Sequence, residues 1–342
     1  MTTAAIGIFA PGTSEQAKQV HRRLVEDGVN AVLFDTDIPS TERVSLDEEG
    51  ARWNGYRLEE LETAYIHGYD HESPIVPAPG GMRDWSVWQA DYPARQQRQS
   101  FLTSLFIRLA HHGVRLVNPV EAAQVMFAKA HLLASLAAEG FLMPDMIVSN
   151  DSETAKAFCT EHETVVWRPQ NGRAAWQLCQ EKQRKDIVQA GKPPVILARG
   201  ISGLYVRAWV FEGEPLLALQ ASPPSDSVPE RLEQMTRIDL APYVECLGRL
   251  AETLDIPWFQ VAFVPVDDQP CIYDIDADPV IDWLPSAFGE HLTNSLAACL
   301  SGSKLVGAVK VDSQKRPALF LRRMLRVLFE FEQCKYGDAK SK

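Results

Sequence analysis

Residues 258–265 and 271–275 are two apolar stretches separated by the polar turn Asp267-Asp268-Gln269, and the second runs directly into Asp274, Asp276 and Asp278. Two apolar strands joined by a short turn commit this part of the chain to a buried hairpin. Any fold must cover that hairpin and still accommodate acid at its end. Residues two apart on a strand share a face, so the aspartates can form a row of carboxylates. Like charges side by side are unfavourable unless a cation or basic groups neutralise them. Mg²⁺ arriving with a polyphosphate is one economical partner, because it takes a few carboxylate oxygens and fills its shell with phosphate and water. A solvated strand end with an Asx turn ahead of Pro279 is the other, and the residues alone leave both open.

Basic groups elsewhere supply a complement. Lys129 sits inside the otherwise apolar helical run 121–140, Arg168 at the end of a strand over 164–167, and Arg207 within the strand pattern of 204–211. One such cation is usually solvated or snorkels to the surface. Three of them together with a later acidic row point to a site for an anionic ligand and its metal. The whole chain is acidic, with 34 basic and 45 acidic residues for a net charge of −11. That balance argues against a general nucleic-acid partner but not against a local basic pocket. The 6 cysteines are scattered without a C-x-x-C pair, so neither a zinc knuckle nor a disulfide framework is expected, and a reduced, cytoplasmic compartment fits. No signal peptide and no apolar run of about 18 residues is present, so no membrane partner is expected.

The remaining elements alternate between strand and helix. Residues 5–9 form a strand, Pro11-Gly12 turns the chain, and Thr13 to Gln16 reads as a capping box with Gln16 three residues beyond the hydroxyl. Ala17, Val20, Leu24 and Val25 share a helical face that Gly28 ends, and 29–34 is the next strand. The G-x-G-x-x-G fingerprint of a dinucleotide site is absent here. Asn54-Gly55 predicts a type I′ hairpin turn. The stretch 68–95, rich in Pro, Gly, Asp and aromatic residues, reads as a long loop. His67, Asp70, His71 and Glu72 cluster at its start without metal-ligand spacing, which favours a polar loop over a metal site. Helices are expected over 96–112, 121–140, 243–255 and 288–300. Strands are expected over 144–148, 164–167, 194–197 and 216–220, with a mobile Pro/Ser-rich loop at 222–229 and an amphipathic tail at 318–334.

The order of several short motifs is similar to that of one superfamily. Val117-Asn118-Pro119, Lys129, Gly140 to Pro144, Ser149-Asn150-Asp151, Val165 to Pro169, Ile201-Ser202-Gly203 with Arg207, and Asp274 to Pro279 follow one another as in ATP-grasp ligases. The nearest branch resembles the microviridin-type (graspetide) peptide ligases and the ribosomal-protein glutamate ligases, and Phe34-Asp35-Thr36-Asp37 matches a strand end of that branch. The resemblance implies an α/β (α+β) ATP-grasp fold. Residues 1–117 would be an N-terminal α/β pre-ATP-grasp lobe, 118–192 a middle lobe, 193–302 a C-terminal lobe with the metal motif, and 303–342 a helical tail. ATP would lie between the middle and C-terminal lobes. Lys129 and Arg168 would contact its phosphates, Arg207 would act as the catalytic residue holding the γ-phosphate or an acylphosphate, and Asp274 and Asp276 would bind Mg²⁺.

The expected reaction is ATP-dependent ligation of a carboxylate, on a peptide or protein side chain or a small molecule, to an amine or hydroxyl. A homo-oligomer, a dimer, is expected as well. The chain departs from the family's pattern at several positions. Arg168 stands for a Lys, Asp274 for a Glu, Asp276 for an Asn, and Ala262 for a metal-binding Asp. The phosphate flap at 170–175 has one glycine where the family has several, and the acid of the adenine hinge is missing from 197–200. These losses define the alternative, a catalytically impaired ATP-grasp protein that binds nucleotide or peptide within a complex.

Overall fold

The structure is a computed structural model that describes residues 6–69, 85–170, 176–180, 187–189, 191–221 and 235–302. It is built on three main sheets. The first is parallel, with strand order β2-β1-β6-β7 formed by β1 (Ile6–Ala10), β2 (Ala31–Asp35), β6 (Thr63–Ile66) and β7 (Arg115–Val117). Helix α1 (Glu15–Glu26) provides the crossover between β1 and β2. All five residues of β1 are buried, as the centre of a parallel sheet requires. A small hairpin sheet of β3 (Val44–Asp47), β4 (Gly50–Trp53) and β5 (Tyr56–Arg57) hangs from this unit, with Asn54 and Gly55 at positive φ in the expected tight turn.

This region departs from its sequence pattern in two places. The cap of α1 is Ser14, whose hydroxyl accepts from the Ala17 amide, so Gln16 is not the reciprocal partner of a capping box and is instead buried. The stretch 68–95 is not all loop. Helix α2 (Trp85–His111) begins ten residues before its end and carries Pro93 internally. Sequence punctuation by proline hid those turns, because an interior proline usually breaks a helix.

Helices α3 (Val120–Phe127) and α4 (Lys129–Ala138) occupy the span read as one helix. Ala128, at φ −93° and ψ 36°, breaks the run and makes Lys129 the first residue of α4. The second sheet, antiparallel, has the order β10-β9-β11-β8, with β8 (Met146–Ser149), β9 (Val165–Pro169), β10 (Gln177–Leu178) and β11 (Val195–Arg199). Arg168 thus lies inside β9 and not in a following loop. Helix α5 (Ser152–Glu161) covers it, capped by Asp151 through the Thr154 amide.

The third sheet has the order β14-β13-β12-β15-β16, with β12 (Tyr205–Phe211), β13 (Glu214–Ala221), β14 (Thr236–Arg237), β15 (Trp258–Val266) and β16 (Gln269–Asp276). Asp267 and Asp268, both at positive φ, form the tight turn between β15 and β16. One face of this sheet packs on α6 (Val244–Leu254) and α4, burying Val261, Phe263, Ile272 and Ile275 against Leu247, Leu250 and Leu136. Part of the other face shares a core with the first sheet, where Trp209 and Leu217 meet Ile8, Val20 and Leu292 of α7 (Ser286–Leu300). The remainder of that face closes on the second sheet. The flap at 171–175, the loop at 222–229, the tail at 318–334, and Asp70, His71 and Glu72 lie outside the described residues. Among those residues, no helix is long and apolar enough to cross a membrane.

Candidate active site

The second and third sheets meet over a small apolar cluster. Val166, Trp176, Ile196 and Ala198 come from one side, and Tyr205, Ala262, Val264 and Tyr273 from the other. At the edge of this cluster the predicted cations and acid converge. Lys129 and Arg168 are both 0% exposed. Lys129 Nζ lies 2.8 Å from Asp274 Oδ1 and also donates to the carbonyl of Ile275. Arg168 Nη1 pairs with the other carboxylate oxygen, Asp274 Oδ2. Its guanidinium stacks on Trp176, 5.7 Å from the ring centroid.

This cluster is a solution to a costly problem. An unpaired ion deprived of water costs several kcal/mol or more, so buried charges persist only with good partners. Lys129 is also the first residue of α4, where the helix dipole opposes a positive charge. One carboxylate between two cations answers both difficulties. Burial by itself pushes the Asp274 carboxyl upward, but the charges and hydrogen bonds of Lys129 and Arg168 outweigh it and hold the group below the usual carboxylate range. Asp274 keeps 23% of its side chain exposed, so the pair is not sealed from a ligand.

The other predicted residues occupy the same sheet in register. Arg207 on β12 is opposite Ala262 on β15, which is opposite Asp274 on β16. Asp276, opposite Gln260, is on the same face two residues along, and its Oδ1 accepts the Asp278 amide at 3.0 Å. Ala262 is buried in the apolar cluster, and Arg207 places its guanidinium 5.2 Å from the centroid of the Trp283 ring. Among the described residues, no group of three or more His, Cys, Asp or Glu side chains is gathered to hold a metal ion.

Asp278 does not join the carboxylate row. His67 Nδ1 lies 2.6 Å from its Oδ1, and the Gly68 amide donates to its Oδ2 at 2.8 Å. His67 is therefore a tie between the first sheet and the segment after β16. Two further amides complete that tie. Asn118 donates to the carbonyls of Trp258 and Ala277 and accepts the Trp258 amide at 2.8 Å. Buried Gln16 donates to Pro279 O at 3.1 Å and accepts the Ile281 amide at 2.8 Å. The sequence assigns Trp176 and Trp283 to core or cleft wall without a stacking role, and it does not single out Tyr273. A tryptophan or tyrosine in an apolar run reads as core, and nothing local announces that a cation sits over it.

Solved structures share this architecture. The ATP-grasp ligase PsnB, in complexes with a minimal precursor, Mg and ADP, superposes with a TM-score of 0.70 at 20% identity, covering 87% of this chain and 98% of that one. The chain has the ATP-grasp fold. The macrocyclase MdnC of Microcystis aeruginosa MRC, bound to its precursor peptide MdnA, gives 0.67 at 16% identity over 87% of this chain and 100% of that one. A RiPP-associated ATP-grasp ligase of Chryseobacterium gregarium, with ADP and leader and core peptide, gives 0.66 at 15% identity over 90% and 99%. No family model matches the sequence, and no curated protein matches it. Arg168 of β9 and the β12-β15-β16 face oppose one another where the two antiparallel sheets meet.

Proposed function

We propose that this chain is an ATP-dependent ligase that joins a carboxylate of a peptide or protein side chain to an amine or hydroxyl through an acylphosphate. The observation that carries the reading is the pair Lys129 and Arg168, buried in the cleft and converging on a single anion. The fold is shared with PsnB and MdnC, which are seen with precursor peptides. In this reading Lys129 and Arg168 hold the nucleotide phosphates, and Arg207 holds the γ-phosphate or the acylphosphate. The Trp283 ring beneath Arg207 narrows the directions its guanidinium can take. Closure of the apolar cluster excludes water that would hydrolyse an acylphosphate.

The donor set fits Mg²⁺ on charge and hardness. Asp274 and Asp276 offer carboxylate oxygens on one strand face, and Mg²⁺ needs only one or two of these beside phosphate and water. A polyphosphate that engages Lys129 and Arg168 replaces the anion that those cations now use. Mg²⁺, when bound, supplies neutralisation of the phosphate oxygens.

Calorimetric titration of ATP in the presence of Mg²⁺ tests the reading on wild type, Lys129→Gln and Arg168→Gln. Each variant is expected to lose about tenfold or more in affinity, the scale of one charge-assisted hydrogen bond. Equal affinity in all three proteins would remove the nucleotide from this cleft. Ala262 favours a second reading, a binder without catalysis, because an apolar methyl stands in register beside Asp274. Release of ADP when a peptide substrate is added separates the two.

A further inference from the structure

β16 delivers two consecutive side chains into one cleft. Neighbours on a regular strand point to opposite faces. Here the pairing steps from Ala262 opposite Asp274 to Phe263 opposite Ile272, so Tyr273 is the extra residue of a β-bulge. Ile272 and Ile275 enter the core behind the sheet, whereas Tyr273 joins the cleft cluster and Asp274 meets Lys129 and Arg168.

Among the described residues the Tyr273 hydroxyl has two partners, one at the end of β11 and one just beyond it. It donates to the carbonyl of Arg199 at 2.7 Å and accepts the amide of Ile201 at 2.7 Å. A backbone acceptor and donor two residues apart form a recognition edge. Its complement is a planar ligand with a donor beside an acceptor, such as the edge of a nucleobase. Trp176 flanks that position, its ring 5.9 Å from that of Tyr273. Its buried indole Nε1 has no hydrogen-bond partner among the described residues. One end of the cleft therefore offers a base-like edge and the other a cation pair, and two adjacent residues of β16 fill both.

We propose that Tyr273 and Asp274 are an internal competitor for the ligand. The hydroxyl occupies the Arg199–Ile201 edge, the carboxylate occupies the Lys129–Arg168 pair, and a nucleoside polyphosphate enters by replacing both. The proposal rests on the nucleotide reading above and deepens it, because it gives Tyr273 and Asp274 a part in the free protein that a metal ligand alone does not have. Any carboxylate beside the phosphates repels a metal-free polyphosphate, so the uncharged Tyr273 end is the one that separates a competitor from a metal ligand. The exchange also couples the two arrivals, since the displaced carboxylate regains a positive partner only when a divalent cation comes with the phosphates.

Two half-ligands separate the two ends. Full-length wild type, Tyr273→Phe and Asp274→Asn are titrated calorimetrically with adenosine and with tripolyphosphate, both free of divalent metal. Tyr273→Phe is expected to bind adenosine about tenfold more tightly than wild type and tripolyphosphate equally well. Asp274→Asn is expected to show the reverse, about tenfold tighter for tripolyphosphate with adenosine unchanged. If Asp274→Asn does not fold, Tyr273→Phe with adenosine carries the test by itself, because that change removes no charge and leaves Lys129, Arg168 and Asp274 in place. If ATP with Mg²⁺ binds wild type but Tyr273→Phe gains nothing for adenosine, the competitor is overturned and the nucleotide reading stands. If ATP with Mg²⁺ binds none of these proteins, both are overturned.

Discussion

Charge counting at Lys129, Arg168 and Asp274 makes an unequal prediction for three residues that touch one another. Removing Asp274 leaves two like charges buried side by side, the case that costs about 3–5 kcal/mol. Removing Lys129 leaves a balanced Arg168–Asp274 pair, and a methionine there keeps most of the aliphatic packing. That change forfeits a charged hydrogen bond, about 1.5–3 kcal/mol. Urea unfolding should therefore place Asp274→Asn below Lys129→Met in stability, and the opposite order would mean that the cluster is not held by its central anion. The same residue sets a pH signature. Burial raises the Asp274 carboxyl, but its two cations hold it below the ordinary range, so the folded chain binds that proton less tightly than the unfolded chain. Its contribution is complete above about pH 4, the unfolded value, and is lost as the pH falls through the folded one. Asp274→Asn should lack that acid step.

At the scale of elements, the segment after β16 is held by side chains that come from far away in sequence. Asn118 ties the start of β15 to the residue after β16, serving both the amide and carbonyl of Trp258 and the carbonyl of Ala277. Asn118→Ala leaves these buried groups without that partner, at about 1–3 kcal/mol for each group stranded. Hydrogen exchange should then quicken over residues 277–282 while β1 and β12 stay protected. Unchanged exchange there would mean that Gln16, His67 and Gly68 suffice to hold the segment. How much of this was legible varies with the range of the interaction. The turns at Asn54-Gly55 and Asp267-Asp268 were readable because turn chemistry is local. Lys129, Arg168, Arg207 and Asp274 stood out because a charge in an apolar run needs a reason. The break at Ala128 was not readable, since alanine carries no helix-stop signal, and the start of α2 was masked by Pro93. Gln16 reads as a capping-box residue and His67 as part of a polar loop, because Pro279 and Asp278, to which they are tied, are more than two hundred positions away. Tyr273 was hidden for a different reason, since a bulge changes which way a side chain points without changing the residue pattern.

Across the whole molecule, the three sheets are not equally joined. The first and third share an apolar core through α1, α7 and Trp209. The second meets the third over the smaller cluster of Trp176, Ile196, Tyr205 and Tyr273, with Lys129, Arg168 and Asp274 at its margin. Asp274 is open on one side, but a ligand that also takes the Arg199–Ile201 edge beside Trp176 must part these two sheets, so the second sheet should open against a body formed by the other two. Such sub-global opening is cheaper than unfolding because it exposes only part of the buried surface. The Ile201 amide reports on it, because its partner is the Tyr273 hydroxyl across the cleft and not a strand of its own sheet. In the free protein that amide should exchange faster than those of β12 and β15, with a weak dependence on urea. Adding ATP with Mg²⁺ should slow it, as the ligand replaces the hydroxyl and closes the sheets. Exchange of Ile201 only at the rate of global unfolding would mean a rigid cleft, one that Lys129 and Arg168 line without ever being reached.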